Sequence, residues 1–420
     1  MRYLVFTLGC KVNTYESTAL ENLLQARGYE PAIDEEPDVV VINTCSVTST
    51  SDQKSRQHIR SLIAKHPHAI IVAMGCYTQM AHTFVRDIPG VHIVVGTSHR
   101  GEIPDLIEEF KATGKVRDVV EEKTREFDYE PLNVTSYSDN ARAFLKIQDG
   151  CDNYCSYCII PFARGKMRSR AKEDILREVH RLSDQGYREI VLTGIHTAGY
   201  GNDFGDYHFV DLVRDILASE PRLFRLRISS IEDTEINDEF IELLKHNETI
   251  ARHLHIPLQS GSTSVLKRMN RKYDTSYFLN VLKKIRQAVP DIAITTDVIV
   301  GFPGETDAEF QETVDFIKTA GFSQLHVFPF SPRSGTAAAR MKDQVDGNVK
   351  KQRVQALLTL SDQLHEAYSS RFVGQTMEII VEDRDPETLL WRGHSSNYLQ
   401  GTLQSDEDLR GKIVKIQYKR

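Results

Sequence analysis

The 420-residue chain carries 52 Lys and Arg against 59 Asp and Glu, a formal charge of −7, with 40 % hydrophobic residues, enough for proper cores in about two to four domains. No apolar run approaches the roughly 20 residues of a membrane helix, and the opening Met1-Arg2-Tyr3-Leu4-Val5-Phe6-Thr7-Leu8 turns polar too soon for a secretory signal, so the expected compartment is the cytoplasm. Six cysteines in so long a chain argue against a disulfide framework and suit two sets of three metal ligands.

Over residues 1–112, apolar strand-like runs alternate with helical patterns. Tyr3 to Leu8 precedes a helix from Thr14 to Arg27, Val39 to Ile42 precedes Ser49 to Lys65, Ala69 to Ala73 precedes Tyr77 to Arg86, and His92 to Val95 precedes Arg100 to Lys111. This alternation predicts an open parallel α/β domain. Cys10, Cys45 and Cys76 follow the first, second and third of these strands. Loops after parallel strands emerge along one edge of such a sheet, so these three can meet as ligands of one cluster with an open iron. Taken singly, each would be an ordinary core thiol.

Residues 113–140 are polar and without periodicity, and read as a linker crossing the surface. Strand and helix signals then recur six times within residues 141–371, at Phe144 to Gln148, Glu189 to Thr193, Phe224 to Ser229, Leu254 to Leu258, Ile292 to Val300 and Leu325 to Phe328. Six β/α units predict an incomplete barrel, whose chemistry belongs on the loops at the carboxyl ends of the strands.

The first of these strands runs into Cys151-Asp152-Asn153-Tyr154-Cys155-Ser156-Tyr157-Cys158, a Cys-x3-Cys-x2-Cys run. Thiolate is the soft ligand that iron–sulfur sites select, and three on one short loop can hold three corners of a cubic cluster. One iron is then left open for a small molecule that receives an electron. The alternatives are a zinc site or three unrelated core thiols; no Cys or His stands at zinc spacing just downstream to complete the former. Just after the loop, Arg164, Lys166, Arg168, Arg170 and Lys172 place five cations in nine residues, the best candidate for guiding a phosphate-bearing substrate, though such a run also serves as a solvated face. Residues 372–420 read as short strands, Val373 to Val381, Leu389 to Gly393 and Gly411 to Ile416, a small all-β module.

The cysteine spacing and the flanks Phe144-Leu145-Lys146-Ile147-Gln148-Asp149-Gly150 and Ile159-Ile160-Pro161-Phe162-Ala163-Arg164-Gly165 resemble the radical S-adenosylmethionine (SAM) enzymes, and among them the methylthiotransferases. Thr7-Leu8-Gly9-Cys10-Lys11-Val12-Asn13, Val41-Ile42-Asn43-Thr44-Cys45-Ser46-Val47-Thr48 and Gly75-Cys76-Tyr77 resemble that family's amino-terminal domain, and the tail resembles the RNA-binding TRAM barrel. The resemblance covers essentially the whole chain. It implies two 4Fe-4S clusters, an auxiliary one on Cys10, Cys45 and Cys76 and a SAM-binding one on Cys151, Cys155 and Cys158. It also implies SAM, an external electron donor, a tRNA substrate and no membrane.

Leu8-Gly9-Cys10-Lys11-Val12-Asn13 and Leu192-Thr193-Gly194-Ile195-His196 resemble the branch that methylthiolates C2 of N6-threonylcarbamoyladenosine at position 37 of tRNA. The same chemistry on N6-isopentenyladenosine, or on a ribosomal-protein aspartate, stays open, as does a non-enzymatic iron–sulfur protein that binds RNA or senses redox state. Thr193 and Gly194, Ser229 and Glu232, and Gln259 end successive strands and are candidates for holding SAM; a tight turn or helix cap would use the same residue types. Arg164, Lys166, Arg168 and Arg170 are the candidates for RNA.

Overall fold

The computed structural model describes residues 1–137 and 141–419. β1 (Arg2–Thr7), β2 (Glu30–Pro31), β3 (Val39–Thr44), β4 (Ile70–Gly75), β5 (Ile93–Val94) and β6 (Arg117–Asp118) form one parallel sheet in the order β2-β1-β3-β4-β5-β6. β3, Val-Val-Val-Ile-Asn-Thr, is buried at every position, as a central strand covered on both faces must be. Val39 and Val41 pack with Leu20, Leu24 and Ile103 on one face, and Val40 and Ile42 with Ile59, Leu62 and Val85 on the other. α1 (Lys11–Ala26), α2 (Ser49–Lys65) and α3 (Cys76–Met80) leave the carboxyl ends of β1, β3 and β4.

Two expectations change here. The helix expected over Tyr77 to Arg86 is broken at Ala81, whose φ of −140° separates α3 from the short helix His82–Arg86. The segment read as a surface linker takes part in packing. Arg117–Asp118 adds β6 to the sheet, and Leu132, Val134 and Tyr137 are buried in the central core. These apolar residues are spaced among Asn133, Thr135 and Ser136, so composition hides them. The last three residues of that segment, 138–140, lie outside the described residues.

β7 (Ala143–Lys146), β8 (Gln148–Asp149), β9 (Arg168–Ser169), β10 (Glu189–Thr193), β11 (Arg225–Ile228), β12 (His253–His255), β13 (Ala293–Val300) and β14 (Gln324–Pro329) follow. Six of them form two parallel ladders, β7-β10-β11 and β12-β13-β14, linked by a bridge from Leu226 to Ile250. Among the described residues β7 and β14 do not pair, which leaves a half-open barrel. The remaining pair, β8 with β9, is an antiparallel clip around the cysteine loop that the sequence reading did not anticipate. Helices Lys172–Asp184, Phe209–Ser219, Asp238–His246, Thr275–Ala288, Asp307–Ala320 and Gly347–Ser370 cover the outside. Thr306 and Glu309 make the reciprocal cap their spacing predicts.

β15 (Thr376–Arg384), β16 (Trp391–Ser395), β17 (Gln400–Leu403) and β18 (Ile413–Gln417) form an antiparallel sheet in the order β17-β16-β15-β18. Gln400–Leu403 is too short and too polar to have been read as a strand. The tail docks on the barrel through Arg225 and Arg227, which donate to the carbonyls of His394 and Ser395 at 3.0 and 3.1 Å. Among the described residues no helix is long and apolar enough to cross a membrane.

Candidate metal centres

Three adjacent strands, β1, β3 and β4, deliver the first cysteine set to one sheet edge. Cys10 caps α1, Cys45 follows β3, and Cys76 opens α3. Gly9 makes the approach possible. Its φ is +110°, and a Cβ there would stand 2.9 Å from the Cβ of Cys45. Asn13 ties the edge together by donating to the carbonyls of Leu8 and Thr44 at 2.7 and 3.1 Å.

The second set sits on the loop after β8. Gly150, at φ +70°, lets the chain pass so close to Lys166 that a Cβ would meet the Lys166 carbonyl oxygen at 1.9 Å. Cys151 N donates to the carbonyl of Gly165 at 3.1 Å, Ser156 N to that of Met269 at 2.9 Å, and Asn270 Nδ2 to that of Tyr154 at 2.9 Å. These hydrogen bonds tie the loop to the rest of the barrel. The short helix Ile160–Arg164 follows soon after Cys158 and packs on α3, so the chain just after the second set meets the helix that Cys76 opens.

All six thiols are free. Burial raises the Cys45 thiol, and burial with crowding by Cys45 and Cys10 pushes Cys76 up to about 12. Burial likewise pushes Cys151 and Cys158 up to about 12, with Cys155 adding to both. Grouped thiols of this kind, two of them buried and three half-buried, ask for a soft cation to take the place of their protons. Among the described residues no three His, Cys, Asp or Glu side chains close around a single ion. A cubane gives each thiolate its own iron, so its ligands stand farther apart than those of one ion. Each set also has an arginine aimed at sulfur: Arg164 Nε stands 3.2 Å from Cys76 Sγ, and Arg271 Nη1 3.4 Å from Cys155 Sγ. Such donors favour ligated thiolate. The donor sets thus fit iron–sulfur clusters.

Arg164 is the centre of a buried network. It reaches Glu16 at 2.8 Å, Asp149 at 3.0 Å and the Asn13 side chain at 2.9 Å. Lys146 bridges the same two acids at 2.7 and 2.6 Å, and Arg100 pairs with Glu16. Burial opposes ionisation of Glu16 and Asp149, but the surrounding cations outweigh it and hold both well below the usual carboxylate range.

This burial corrects the RNA assignment. Arg164, Arg168 and Arg170 are buried, the first two against Asp149 at 3.0 and 3.4 Å and the last against Glu178 at 2.7 Å, because each turns inward to an acid. Only Lys166 of the four is exposed to a phosphate. The acids Glu16, Asp149 and Glu178 are the partners that sequence reasoning missed, since each belongs to a different element.

The residues put forward for SAM lie on the rim that carries the second cysteine set. Thr193 is buried, and Gly194 makes room for Gln148, whose Oε1 accepts from His196 N at 2.8 Å. Ser229 Oγ stands 3.2 Å from Thr197 Oγ1. Gln259, at φ +65°, bonds through its backbone to β13. Glu232 pairs with Arg271 and so stands one residue away from Cys155. Beside it, Asp233 was not anticipated. Its carboxylate oxygens are buried without a hydrogen-bond partner among the described residues, and burial together with Glu232 raises its pKa to about 7. A narrow cleft lined by Asn153, Cys155, Glu232, Asn270 and Arg271 opens here, with Glu232 paired to Arg271.

Comparison with known proteins gives a consistent result. Residues 145–317 match the radical SAM superfamily, and residues 2–96 match the uncharacterized protein family UPF0004. The chain is 48 % identical to the threonylcarbamoyladenosine tRNA methylthiotransferase MtaB of Bacillus subtilis (strain 168), over 98 % of this chain and 92 % of the relative. It is 35 % identical to a tRNA-2-methylthio-N(6)-dimethylallyladenosine synthase of Bacillus cereus (strain B4264), over 99 % of this chain and 83 % of the relative. The fold is similar to that of the radical S-adenosylmethionine methyltransferase TsrM of Kitasatospora setae, with a TM-score of 0.60 at 16 % identity over 80 % of this chain and 77 % of that one.

Proposed function

The chain belongs to the methylthiotransferases of the radical SAM enzymes, and from that premise we propose that it places a methylthio group on C2 of N6-threonylcarbamoyladenosine at position 37 of tRNA. The observation that carries this reading is the contact between the elements of the two three-thiol sets, where Arg164, on the helix after the barrel loop, reaches Cys76. Cys151, Cys155 and Cys158 would hold the four-iron cluster that binds SAM, and Cys10, Cys45 and Cys76 a second one. When bound, these groups supply what acid–base side chains cannot: an electron that cleaves SAM to a radical able to take the hydrogen from C2, and sulfur at an open iron.

The protein's own part is positioning. Arg271 holds Cys155 and Glu232 together at the SAM rim, where Glu232 offers negative charge to an ammonium group. Thr193, Gly194, Ser229 and Gln259 shape the same rim. Arg164 fixes Cys76 against the barrel, so that a base inserted between the sets meets both. Arg333 Nη2 donates to Ser46 Oγ at 2.7 Å and pairs with Asp52 at 2.7 Å, which closes the segment after β14 over the Cys45 loop and limits water. Lys166 remains for a phosphate of the tRNA. An external electron donor and a cytoplasmic setting complete the reading.

Nucleoside mass spectrometry of tRNA from a strain lacking the gene tests it. The 2-methylthio form of threonylcarbamoyladenosine should vanish while the unthiolated nucleoside remains. Loss of the 2-methylthio form of isopentenyladenosine instead would transfer the assignment to the chemistry named for the Bacillus cereus relative.

A further inference from the structure

Alternation along the barrel strands sends Leu226, Ile228, Leu254, Ile256, Ile294 and Leu325 outward into the helix layer. Their neighbours Arg227, His253, His255, Asp297 and His326 therefore face the lumen. Parallel barrels that serve only as scaffolds fill this space with branched apolar side chains. Here it is charged, and the gap between β7 and β14 leaves it open at the side.

A further cation enters it from the other domain. Lys11, the first residue of α1 and the neighbour of Cys10, comes within electrostatic range of Arg142, Arg227 and Glu189. The same ammonium is felt at His253 and His326 on β12 and β14. The carboxylates nearby are already engaged. Glu189 is shared by Arg142, Arg225 and Arg227 at 3.7, 2.9 and 2.8 Å, Glu382 takes Arg142 at 3.1 Å, and Asp297 stands 3.2 Å from His255. Lys11 makes no ion pair among the described residues. The lumen thus has one more cation than it has carboxylates to receive it, beside the thiol set that flanks the reacting base.

From this placement we infer that Lys11 receives the carboxylate of the amino-acid group that the substrate adenosine carries on N6. The inference rests on the function proposed above and sharpens it. A threonylcarbamoyl group ends in a free carboxylate, an isopentenyl group is uncharged, and a half-buried ammonium with no ion pair favours the first and is left without a partner by the second. Lys11 is a specificity residue, and it takes no part in breaking or making bonds.

The test uses the holoenzyme and three anticodon stem-loop RNAs that differ only at position 37: N6-threonylcarbamoyladenosine, its methyl ester, and adenosine. Affinities are read by fluorescence anisotropy at one fixed salt concentration. The wild type should bind the acid about tenfold or more tighter than the ester, the scale of one charge-assisted contact. Lys11→Met should bring the two together, and Lys11→Arg should restore the preference. Equal binding of acid and ester by the wild type overturns the inference without recourse to any variant, and so does a Lys11→Met protein that keeps the preference with its iron content intact. The parent reading fails separately: wild-type enzyme that methylthiolates none of the loops contradicts the proposed function, whereas methylthiolation with no acid preference contradicts only the role of Lys11.

Discussion

Cys151, Cys155 and Cys158 stand on one loop, whereas Cys10, Cys45 and Cys76 are brought together from three strand ends of a sheet. The loop is a local device. It is pinned by backbone hydrogen bonds to Gly165 and Met269 and would keep its spacing in any context that held those two points. The dispersed set exists only while β1, β3 and β4 lie side by side, and its approach depends on Gly9 having no side chain. The difference also appears in the acids nearby. At the dispersed set Glu16 and Asp149 are ringed by Arg100, Lys146 and Arg164 and stay ionised, whereas Asp233, near the loop set, is buried without such partners and is pushed up to about 7. One centre is held by ion pairs across a domain contact, the other by backbone.

The largest expected effect separates the two sets by function. Cys158→Ala should abolish formation of 5′-deoxyadenosine from SAM, measured by liquid chromatography of reduced enzyme. Cys76→Ala should leave that cleavage in place and abolish the methylthio product on tRNA. If thiolation survives Cys76→Ala, the dispersed set is not the sulfur centre.

The ion-paired character of the domain contact gives the next effect. Arg164→Gln leaves Glu16 and Asp149 buried with one cation fewer and should cost about 3–5 kcal/mol in chemical denaturation. Lys166→Gln, two residues away but exposed, should change stability by no more than about 0.5 kcal/mol. Similar losses in both would show that the basic run is a surface after all.

A smaller effect follows from the acids. The folded pKa of Asp233 lies above its ordinary value of 3.8, so the folded state holds that proton more tightly. Its contribution to stability is full below about pH 4 and is lost as the pH rises through 7. Asp233→Asn should therefore melt higher than wild type at pH 8, with the gap closing toward pH 4. Glu16 and Asp149 have the opposite sign: their contribution is present above the usual carboxylate range and is lost only in strong acid. A Glu16→Gln protein that melts higher than wild type at pH 8 would contradict the contrast.

What the sequence discloses follows the same division. The loop set was legible because its three ligands are neighbours in the chain, and the dispersed set because each cysteine ends a strand whose apolar run is unmistakable. The basic run misled because charge density along the chain says nothing about the direction of a side chain. Arg164, Arg168 and Arg170 point inward to acids that stand on other elements. Leu132, Val134 and Tyr137 were hidden by polar neighbours, and the clip of β8 on β9 is too short to leave a pattern. Asp233 could have been suspected only from its place beside Glu232 at a strand end, since its burial is a tertiary fact.

Iron and sulfide analysis of anaerobically purified protein tests the central claim most directly. Two four-iron centres predict about eight irons per chain, falling to about four in Cys76→Ala and to about four in Cys158→Ala. About four irons in the wild type, unchanged by Cys76→Ala, would contradict it.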